Sequence, residues 1–314
     1  MAASREGARY LKKSVRYFQP KQLSDLAAAA DQIADGKTAT VTEVCCCLSI
    51  SRSSFYEYRS TQRATGEERQ QQLTPLVMDT FWKHRRRYGT RRIVQELSDD
   101  GILVSRRTVG KIMKTQCLTA IQPKSFTPRT TESRHRLGYS PNLLLDEFSV
   151  TEIDQLWVAD ITYIPLQDKK FGYLSMLMDR YSRRLIGWHL DETMTEDLVL
   201  HALNQAIRGR RPGPNVIHHS DRGGQYAGRR FREKLRRASM RQSMSRAGDC
   251  YDNAFMESCF GTIKTELEMT EYESIIKADR DLGEYFTYYN RARKHSRIGY
   301  LTPHQFETNQ VSRK

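Results

Sequence analysis

The sequence lacks any apolar run approaching the roughly 18 residues that indicate a membrane-spanning helix. Its first residues, MAASREGARYLKKSV, also lack the apolar centre of a signal peptide. Three of its six cysteines are consecutive, Cys45 to Cys47, and none forms a Cys-x-x-Cys pair, so the spacing suits neither a zinc site nor a disulfide framework. These absences predict a soluble cytoplasmic protein with reduced cysteines and no membrane partner.

The sequence has fewer acidic than basic residues. The 314 residues include 51 Lys and Arg against 37 Asp and Glu, which gives a net charge of +14. Residues 1–150 contain 25 basic against 15 acidic residues, whereas residues 151–314 contain 26 against 22. So basic a chain favours a polyanionic partner, above all nucleic acid. A basic protein that binds no nucleic acid is the alternative.

Residues 40–60, TVTEVCCCLSISRSSFYEYRS, have the pattern of two short helices around a tight turn. The first helix is predicted to be capped by Thr42, and the second to open at Ser51. Because the second helix is polar and basic, the pattern favours a helix-turn-helix that contacts DNA. An ordinary helical hairpin is the alternative.

Residues 90–118, TRRIVQELSDDGILVSRRTVGKIMKTQCL, have a similar pattern. They predict a helix, an Asp-Gly turn and a second helix capped by Ser105. A run of charges is usually only a solvated face, but two such units in the more basic half favour DNA binding. The predicted base or phosphate contacts are Arg52, Ser53, Ser54, Arg106 and Arg107.

The second half has the pattern of an α/β domain. The β-rich runs LWVADITYIPL, FGYLSMLMDRYS and RRLIGWHL precede alternating helices and strands, which predicts a mixed sheet. We predict an N-terminal helical region with a helix-turn-helix-like unit at 1–65 and a second such unit at 66–120. A linker rich in Pro, Ser and Thr follows at 121–150, and the α/β domain with a C-terminal helical tail occupies 151–314.

Three acidic residues stand at unusual places in this pattern. Asp160 lies within the first apolar strand, where a charge is costly unless it is paired or binds a metal. Asp221 ends the strand NVIHHSD before two glycines, and Glu257 lies beside the apolar stripe of the last long helix. Singly, these residues have ordinary explanations as a satisfied buried Asp, a turn residue and a surface acid.

Together, the three carboxylates indicate a site for a hard divalent cation. Oxygen ligands without a His or Cys cluster suit Mg²⁺ or Mn²⁺. Two such ions, held about 3.5–4 Å apart, can perform phosphodiester chemistry.

Several longer phrases are more specific than any single residue. The matching phrases, which cover most of residues 45–307, are RRRYGTRRIVQEL, WVADITYIP, HSDRGGQY, SMSRAGDCYDNAFMESCFGTIKTE and YYNRARKHSRIGYLTP. The sequence resembles the DDE integrase core of retroviral integrases and bacterial insertion-sequence transposases. The closer resemblance is to the second reading frame of the insertion-sequence-3 type. The opening YLKKSVRYF resembles the tail of that family's first reading frame, which implies a downstream product with a short overlap.

The resemblance implies an RNase H-like integrase core of α/β class for residues 150–310, preceded by an all-α helix-turn-helix region. By position it makes Asp160, Asp221 and Glu257 the catalytic triad, which would bind two Mg²⁺ or Mn²⁺ ions. Lys264 matches a basic position that contacts DNA near the cleaved phosphate. Gly223 and Asn253 match other recurrent positions of the family. Arg222 and Asn253 are also predicted to contact DNA.

The implied activity is metal-dependent cleavage of DNA strands at the ends of an insertion sequence, followed by strand transfer. The implied partners are double-stranded DNA of the terminal inverted repeats and of the target, further copies of the chain on that DNA, and the upstream-frame product. Such a protein would act at the nucleoid. One alternative is a DNA-binding regulator that is inactive without the upstream frame. Another is a plain metal nuclease, which explains the acids but not the basic front half.

Overall fold

The computed structural model describes residues 40–48, 51–122, 138–144, 149–246, 254–269 and 271–312. The chain divides into two compact units. The first consists of Met1–Arg85 and Glu96–Thr119, and the second of Arg86–Gln95 and Ala120–Lys314. No helix in the described ranges is long and apolar enough to cross a membrane. The predicted turn at residues 49 and 50 and the family-like opening YLKKSVRYF lie outside the described residues.

The first unit contains helices α1 (Val41–Leu48), α2 (Arg52–Lys83) and α4 (Arg106–Thr115), and the end of α3 (Thr90–Asp99). The predicted cap of α1 at Thr42 is wrong, because the helix begins at Val41 and already includes Thr42. Thr40 caps it instead, with its hydroxyl accepting a hydrogen bond from the backbone N–H of Glu43 at 3.3 Å.

The predicted start of α2 is confirmed. Ser51 is its N-cap, and the Ser51 hydroxyl accepts a hydrogen bond from the backbone N–H of Ser54 at 3.0 Å. The helix then continues for 32 residues through the predicted boundary between residues 65 and 66. Its middle is rich in Gln, Glu and Arg, which favour helix, and a lone Gly66 costs only about 1 kcal/mol in a helix.

Helix α4 closes the second predicted helical pair. Ser105 caps it as predicted, accepting a hydrogen bond from the backbone N–H of Thr108 at 3.0 Å. Gly101 has a φ of +78°, which suits glycine and explains the turn before the helix. The apolar stripe Val109, Ile112 and Met113 is buried, and α4 packs on α2.

The second unit is built on a five-stranded mixed sheet with the order β3-β2-β1-β4-β5. The strands are β1 (Leu156–Pro165), β2 (Phe171–Asp179), β3 (Leu185–Asp191), β4 (Ile217–Ser220) and β5 (Arg241–Met244). The first three form an antiparallel meander, and β4 and β5 continue the sheet parallel to β1. The predicted mixed sheet is therefore confirmed.

Helices cover both faces of this sheet. One core contains α5 (Glu196–Arg210), α6 (Gly224–Ala227) and α7 (Arg229–Arg237), packed against Trp157 and Ala159. The other contains α8 (Ala254–Glu266) and α9 (Ile275–Arg291), packed against Leu156 and Val158. Alternate residues of β1 thus enter opposite cores, as the period of a strand requires. A last helix, α10 (Pro303–Val311), packs on α9.

Part of the predicted linker contributes to the second unit. The backbone N–H of Leu143 donates a hydrogen bond to the Ser243 hydroxyl at 2.9 Å, and Leu143 and Leu144 pack against the α8–α9 core. Residues 138–144 therefore run beside β5, where they contact the sheet.

A buried ion cluster holds residues 86–95 to the rest of the second unit. The Glu266 carboxylate, 7% exposed, accepts hydrogen bonds from Arg293 at 2.8–3.0 Å, from Arg92 at 3.1 Å and from the Tyr285 hydroxyl at 2.9 Å. Burial alone would raise the pKa of Glu266, but the Arg293 and Arg92 guanidiniums hold it below its ordinary value. The carboxylate is therefore charged at neutral pH.

We expect Glu266→Gln to lower the free energy of unfolding by about 3–5 kcal/mol, because it leaves the buried guanidinium of Arg293 without a compensating charge. Since the folded pKa is depressed, this stabilisation is complete above the unfolded pKa of about 4.3 and is lost as the pH falls through the folded value. Urea denaturation at pH 7 and at acidic pH measures both effects. Glu233→Gln, at an exposed ion pair of α7, is the control. Equal losses in the two variants would contradict the cluster's role.

Candidate active site

The two predicted aspartates lie on neighbouring parallel strands. Asp160 is the fifth residue of β1, and Asp221 directly follows the last residue of β4. The register pairs Leu156 with Ile217 and Val158 with His219. Continued by two residues, it places Asp160 beside Asp221, across the roughly 4.8 Å that separates adjacent strands. Both side chains are half-buried.

Strand alternation also decides which way these carboxylates point. Leu156, Val158 and Ile217 enter the core that contains α8 and α9. Residues two further along each strand project from the same face, so Asp160 and Asp221 belong to the α8 side of the sheet. Helix α8 contacts β1 directly. The aspartates of both strands therefore lie on the same face of the sheet as the helix that carries Glu257.

Backbone N–H groups orient each aspartate. One carboxylate oxygen of Asp160 accepts a hydrogen bond from the N–H of Ile161 at 2.7 Å. One oxygen of Asp221 accepts from the N–H of Gly223 at 2.9 Å. A Cβ atom at position 223 would stand 3.0 Å from Asp221 Oδ1, so glycine at this position leaves room for the carboxylate.

Glu257 is exposed on α8, next to Met256, which is buried in the core. In the described ranges, no three His, Cys, Asp or Glu side chains lie close enough together to hold a metal ion. The structure thus brings Asp160 and Asp221 together and leaves Glu257 outside their immediate group. Two adjacent carboxylates, with oxygen donors alone, still fit a hard divalent cation such as Mg²⁺ or Mn²⁺.

Tyr226 is a site residue that the sequence prediction missed. It lies on α6, five residues after Asp221, and is 1% exposed. Burial, followed by the negative charges of Asp160 and Asp221, raises its pKa, so the hydroxyl stays protonated. The Ser175 hydroxyl is close enough to moderate this rise in pKa, yet neither hydroxyl makes a hydrogen bond of normal geometry to any described residue. The phrase HSDRGGQY contains Tyr226, but nothing in it indicates that this hydroxyl is buried near the Asp160 and Asp221 carboxylates.

The predicted DNA contacts of the second unit lie in different surroundings. Arg222 Nε donates a hydrogen bond to the backbone oxygen of Ser245 at 2.8 Å, and its guanidinium stands 4.7 Å from the centre of the Tyr139 ring. Lys264 is half-buried on α8, and burial lowers its pKa. Asn253 lies outside the described residues.

The predicted contacts of the first unit lie at two helix starts. Arg52 and Ser53 are exposed at the start of α2, and Arg106 and Arg107 are exposed at the start of α4. Ser54 instead completes the cap of α2, where its hydroxyl accepts a hydrogen bond from the Ser51 hydroxyl at 2.8 Å. The four exposed residues therefore remain the stronger predictions.

Comparison with known families agrees with this architecture. Residues 151–250 and residues 238–303 each match a model of the integrase core domain, and residues 68–126 match an HTH-like domain. These matches define an integrase-core protein with an HTH-like domain ahead of the core.

Curated relatives cover most of the chain. It is 36% identical over 265 residues, or 84% of its length, to an uncharacterized 31 kDa protein of insertion element IS600 from Shigella sonnei, of which 97% is covered. It is 35% identical over 279 residues, or 87% of its length, to the transposase InsF of insertion sequence IS3A from Escherichia coli K12, of which 96% is covered. The chain belongs to the family of IS3-type insertion-sequence transposases.

Among solved structures, the chain is similar to the HTLV-2 integrase catalytic core domain in complex with magnesium. The TM-score is 0.40 at 16% identity, over 49% of this chain and 96% of that one.

We expect Tyr226→Phe to leave the free energy of unfolding unchanged or to raise it by up to about 1 kcal/mol, because a buried hydroxyl without a partner is a cost. Tyr285→Phe is the matched control. Its hydroxyl donates a hydrogen bond to the Glu266 carboxylate at 2.9 Å, and its loss should cost about 1.5–3 kcal/mol. Urea denaturation measures both variants. Equal losses would show that the Tyr226 hydroxyl has a partner in solution.

Proposed function

We propose that this transposase cleaves and joins DNA strands with Asp160, Asp221 and Glu257 as its catalytic triad. The observation that carries this proposal is the register of β1 and β4, which sets the two aspartates side by side on the α8 face. Family membership supplies the reaction class, since relatives of matching length are insertion-sequence transposases. A regulator without activity does not account for a pair of carboxylates at this position.

Each carboxylate has a proposed role that follows from its position. Asp160 and Asp221 would hold one or two Mg²⁺ or Mn²⁺ ions, with Glu257 of α8 as the third carboxylate. Divalent ions bound there would activate the attacking oxygen and stabilise the leaving oxygen. The backbone N–H groups of Ile161 and Gly223 keep the two aspartates oriented before DNA arrives, which reduces the cost of forming the site.

The proposed reaction has two steps at phosphorus. In the first, the oxygen of water forms a bond to phosphorus at the end of the element, and the bond from phosphorus to the 3′ oxygen breaks. That oxygen takes a proton and becomes a free 3′-hydroxyl. In the second, the 3′-hydroxyl loses its proton, and its oxygen forms a bond to the phosphorus of another phosphodiester. A phosphorus–oxygen bond of that phosphodiester breaks, and the released oxygen takes a proton, so one ester replaces another without a covalent protein intermediate or ATP.

DNA binding uses both units. Arg52, Ser53, Arg106 and Arg107 are the proposed contacts to the terminal inverted repeats, because they are exposed at helix starts in the basic front half. In the second unit, Lys264, Arg222 and Asn253 are proposed to contact DNA near the cut. The protein would act at the nucleoid with further copies of itself and the upstream-frame product on the same DNA.

We expect Asp221→Asn to abolish cleavage of a labelled duplex that carries the element's own end, while DNA binding persists. The loss should well exceed the roughly 10–100-fold that follows from losing an outer partner of a metal ligand. Gel analysis of cleaved and joined products in Mg²⁺ or in EDTA measures the activity, and a mobility shift measures binding.

Asp168→Asn is the matched control for this variant. Asp168 is exposed in the turn between β1 and β2, with a φ of +60° that asparagine also tolerates. Wild-type cleavage in Asp168→Asn and none in Asp221→Asn would support the assignment. Cleavage that survives in Asp221→Asn would overturn it.

A further inference from the structure

A small cavity opens beside α8, on the same helix as Glu257. Its volume is about 160 Å³, and it lies among α8, the turn between β2 and β3, and the segment that follows α9. Ser258, the residue after Glu257, lines it together with Thr262, one helical turn further on. Its remaining polar lining residues are Arg92, Arg183, Tyr289, Arg293, His295, Ser296 and Arg297.

Three arginines at this cavity lack an acidic partner among the residues that the structure describes. The half-buried Arg183 and the exposed Arg297 line it, and the guanidinium of Arg180 lies over the ring of Phe255, another lining residue. The guanidinium carbons of Arg180 and Arg183 lie 3.2 and 3.8 Å from the centre of the Phe255 ring. Within the described part of the chain, no carboxylate is within ion-pair distance of these three arginines.

The other two arginines of the cavity are already paired. Arg92 and Arg293 share the single carboxylate of Glu266. The lining therefore has an excess of positive charge that its own acids do not neutralise. Arg180 and Arg183 are half-buried, and partly desolvated cations normally have a counter-ion, because an unpaired charge costs desolvation energy. Because the described residues supply no counter-ion for Arg180 and Arg183, the cavity can accept an anionic ligand.

The titration of neighbouring groups agrees with a strongly positive cavity. Burial, then the charges of Arg183 and Arg297, lowers the pKa of Arg180 to about 10. Burial, then the charges of Arg293, Arg92 and Arg183, lowers the pKa of His295 to about 2, so this imidazole stays neutral.

Arg183 reaches the cavity from a strained backbone conformation. Its φ is +64°, in the left-handed region that favours glycine. Asp179 holds the turn, because its backbone oxygen accepts from the N–H of Arg183 at 2.9 Å and its carboxylate accepts from the N–H of Ser182 at 2.8 Å. Such strain typically persists at functional sites, where the surrounding structure enforces it.

We propose that this cavity binds a backbone phosphate of DNA, with Arg183 and Arg297 as its principal ligands and Ser258 as a hydroxyl donor. The inference rests on the proposed function and extends it, because it adds a phosphate site on the helix that carries Glu257. Arginine is suited to the task, since its planar fork of donors matches phosphate oxygens. A phosphate seated there would fix the DNA strand relative to Glu257.

Binding of a generic DNA duplex in EDTA tests the site without requiring any cleavage. Fluorescence anisotropy between 50 and 200 mM salt gives the slope of log affinity against log salt. For Arg297→Gln, and for Arg183→Gln, we expect the slope to decrease in magnitude by about 0.9, the value for one lost phosphate contact on duplex DNA. Arg297→Lys should restore part of the slope, because it keeps the charge and loses only the fork.

Arg208→Gln is the matched control. Arg208 is exposed on α5, which packs on the opposite face of the sheet. Slopes of Arg297→Gln and Arg183→Gln equal to that of Arg208→Gln would overturn the proposal. Because Arg183 lies in a strained turn, Arg297→Gln keeps the test valid if the Arg183 variant fails to fold, as judged by circular dichroism.

A cleavage assay of the same proteins in Mg²⁺ separates this inference from the proposed function. Reduced slopes together with no wild-type cleavage, even after the upstream-frame product is added, would support the phosphate site and refute the enzyme assignment. If the variants cleave the element end poorly, the phosphate belongs to the end DNA. If they cleave normally but join poorly, it belongs to the target DNA. Either result supports a phosphate ligand.

Discussion

The parallel pairing of β1 with β4 is the constraint on which the rest of the site depends. It joins residues about 60 positions apart in the sequence, and its register carries Asp160 to the level of Asp221. A slip of one residue would turn one aspartate to the opposite core, because side chains alternate along a strand. Leu156, Val158 and Ile217 prevent that slip, because all three are buried in the core on the α8 side. Core packing therefore sets the carboxylate geometry.

Charge is organised around α8 in the same way. The apolar side of α8 packs on the sheet. Its last residue, Glu266, pairs with the buried Arg293 and the half-buried Arg92, and Ser258 and Thr262 of the same helix line a cavity rich in guanidinium groups. Helix α8 therefore packs on the core, carries Glu257, and borders the arginine-rich cavity where a DNA phosphate would bind. The cation-rich motif RRRYGTRRI contributes Arg92 to the ion cluster, so part of the chain's positive charge stabilises the fold.

Sequence patterns predicted what depends on local chemistry. The mixed sheet, the cap at Ser105 and the special places of Asp160 and Asp221 follow from alternation, turn residues and the cost of a charge within an apolar strand. The length of α2 was missed because a lone glycine does not end a helix rich in good formers. Tyr226 and the pairing of Arg92 and Arg293 with Glu266 were missed because distant segments create those environments. The assignment of Glu257 as a metal ligand remains a prediction.

The most direct test of the central claim is whether Asp160 and Asp221 share a metal ion. Mn²⁺ can be titrated into the full chain bound to a DNA duplex, and electron paramagnetic resonance then measures how many ions bind. We predict that Asp160→Asn and Asp221→Asn each remove the same tight binding event, and that the double variant loses no further sites. Loss of a different ion in each variant, or tight binding that persists in both, would contradict a site shared across the β1–β4 pair.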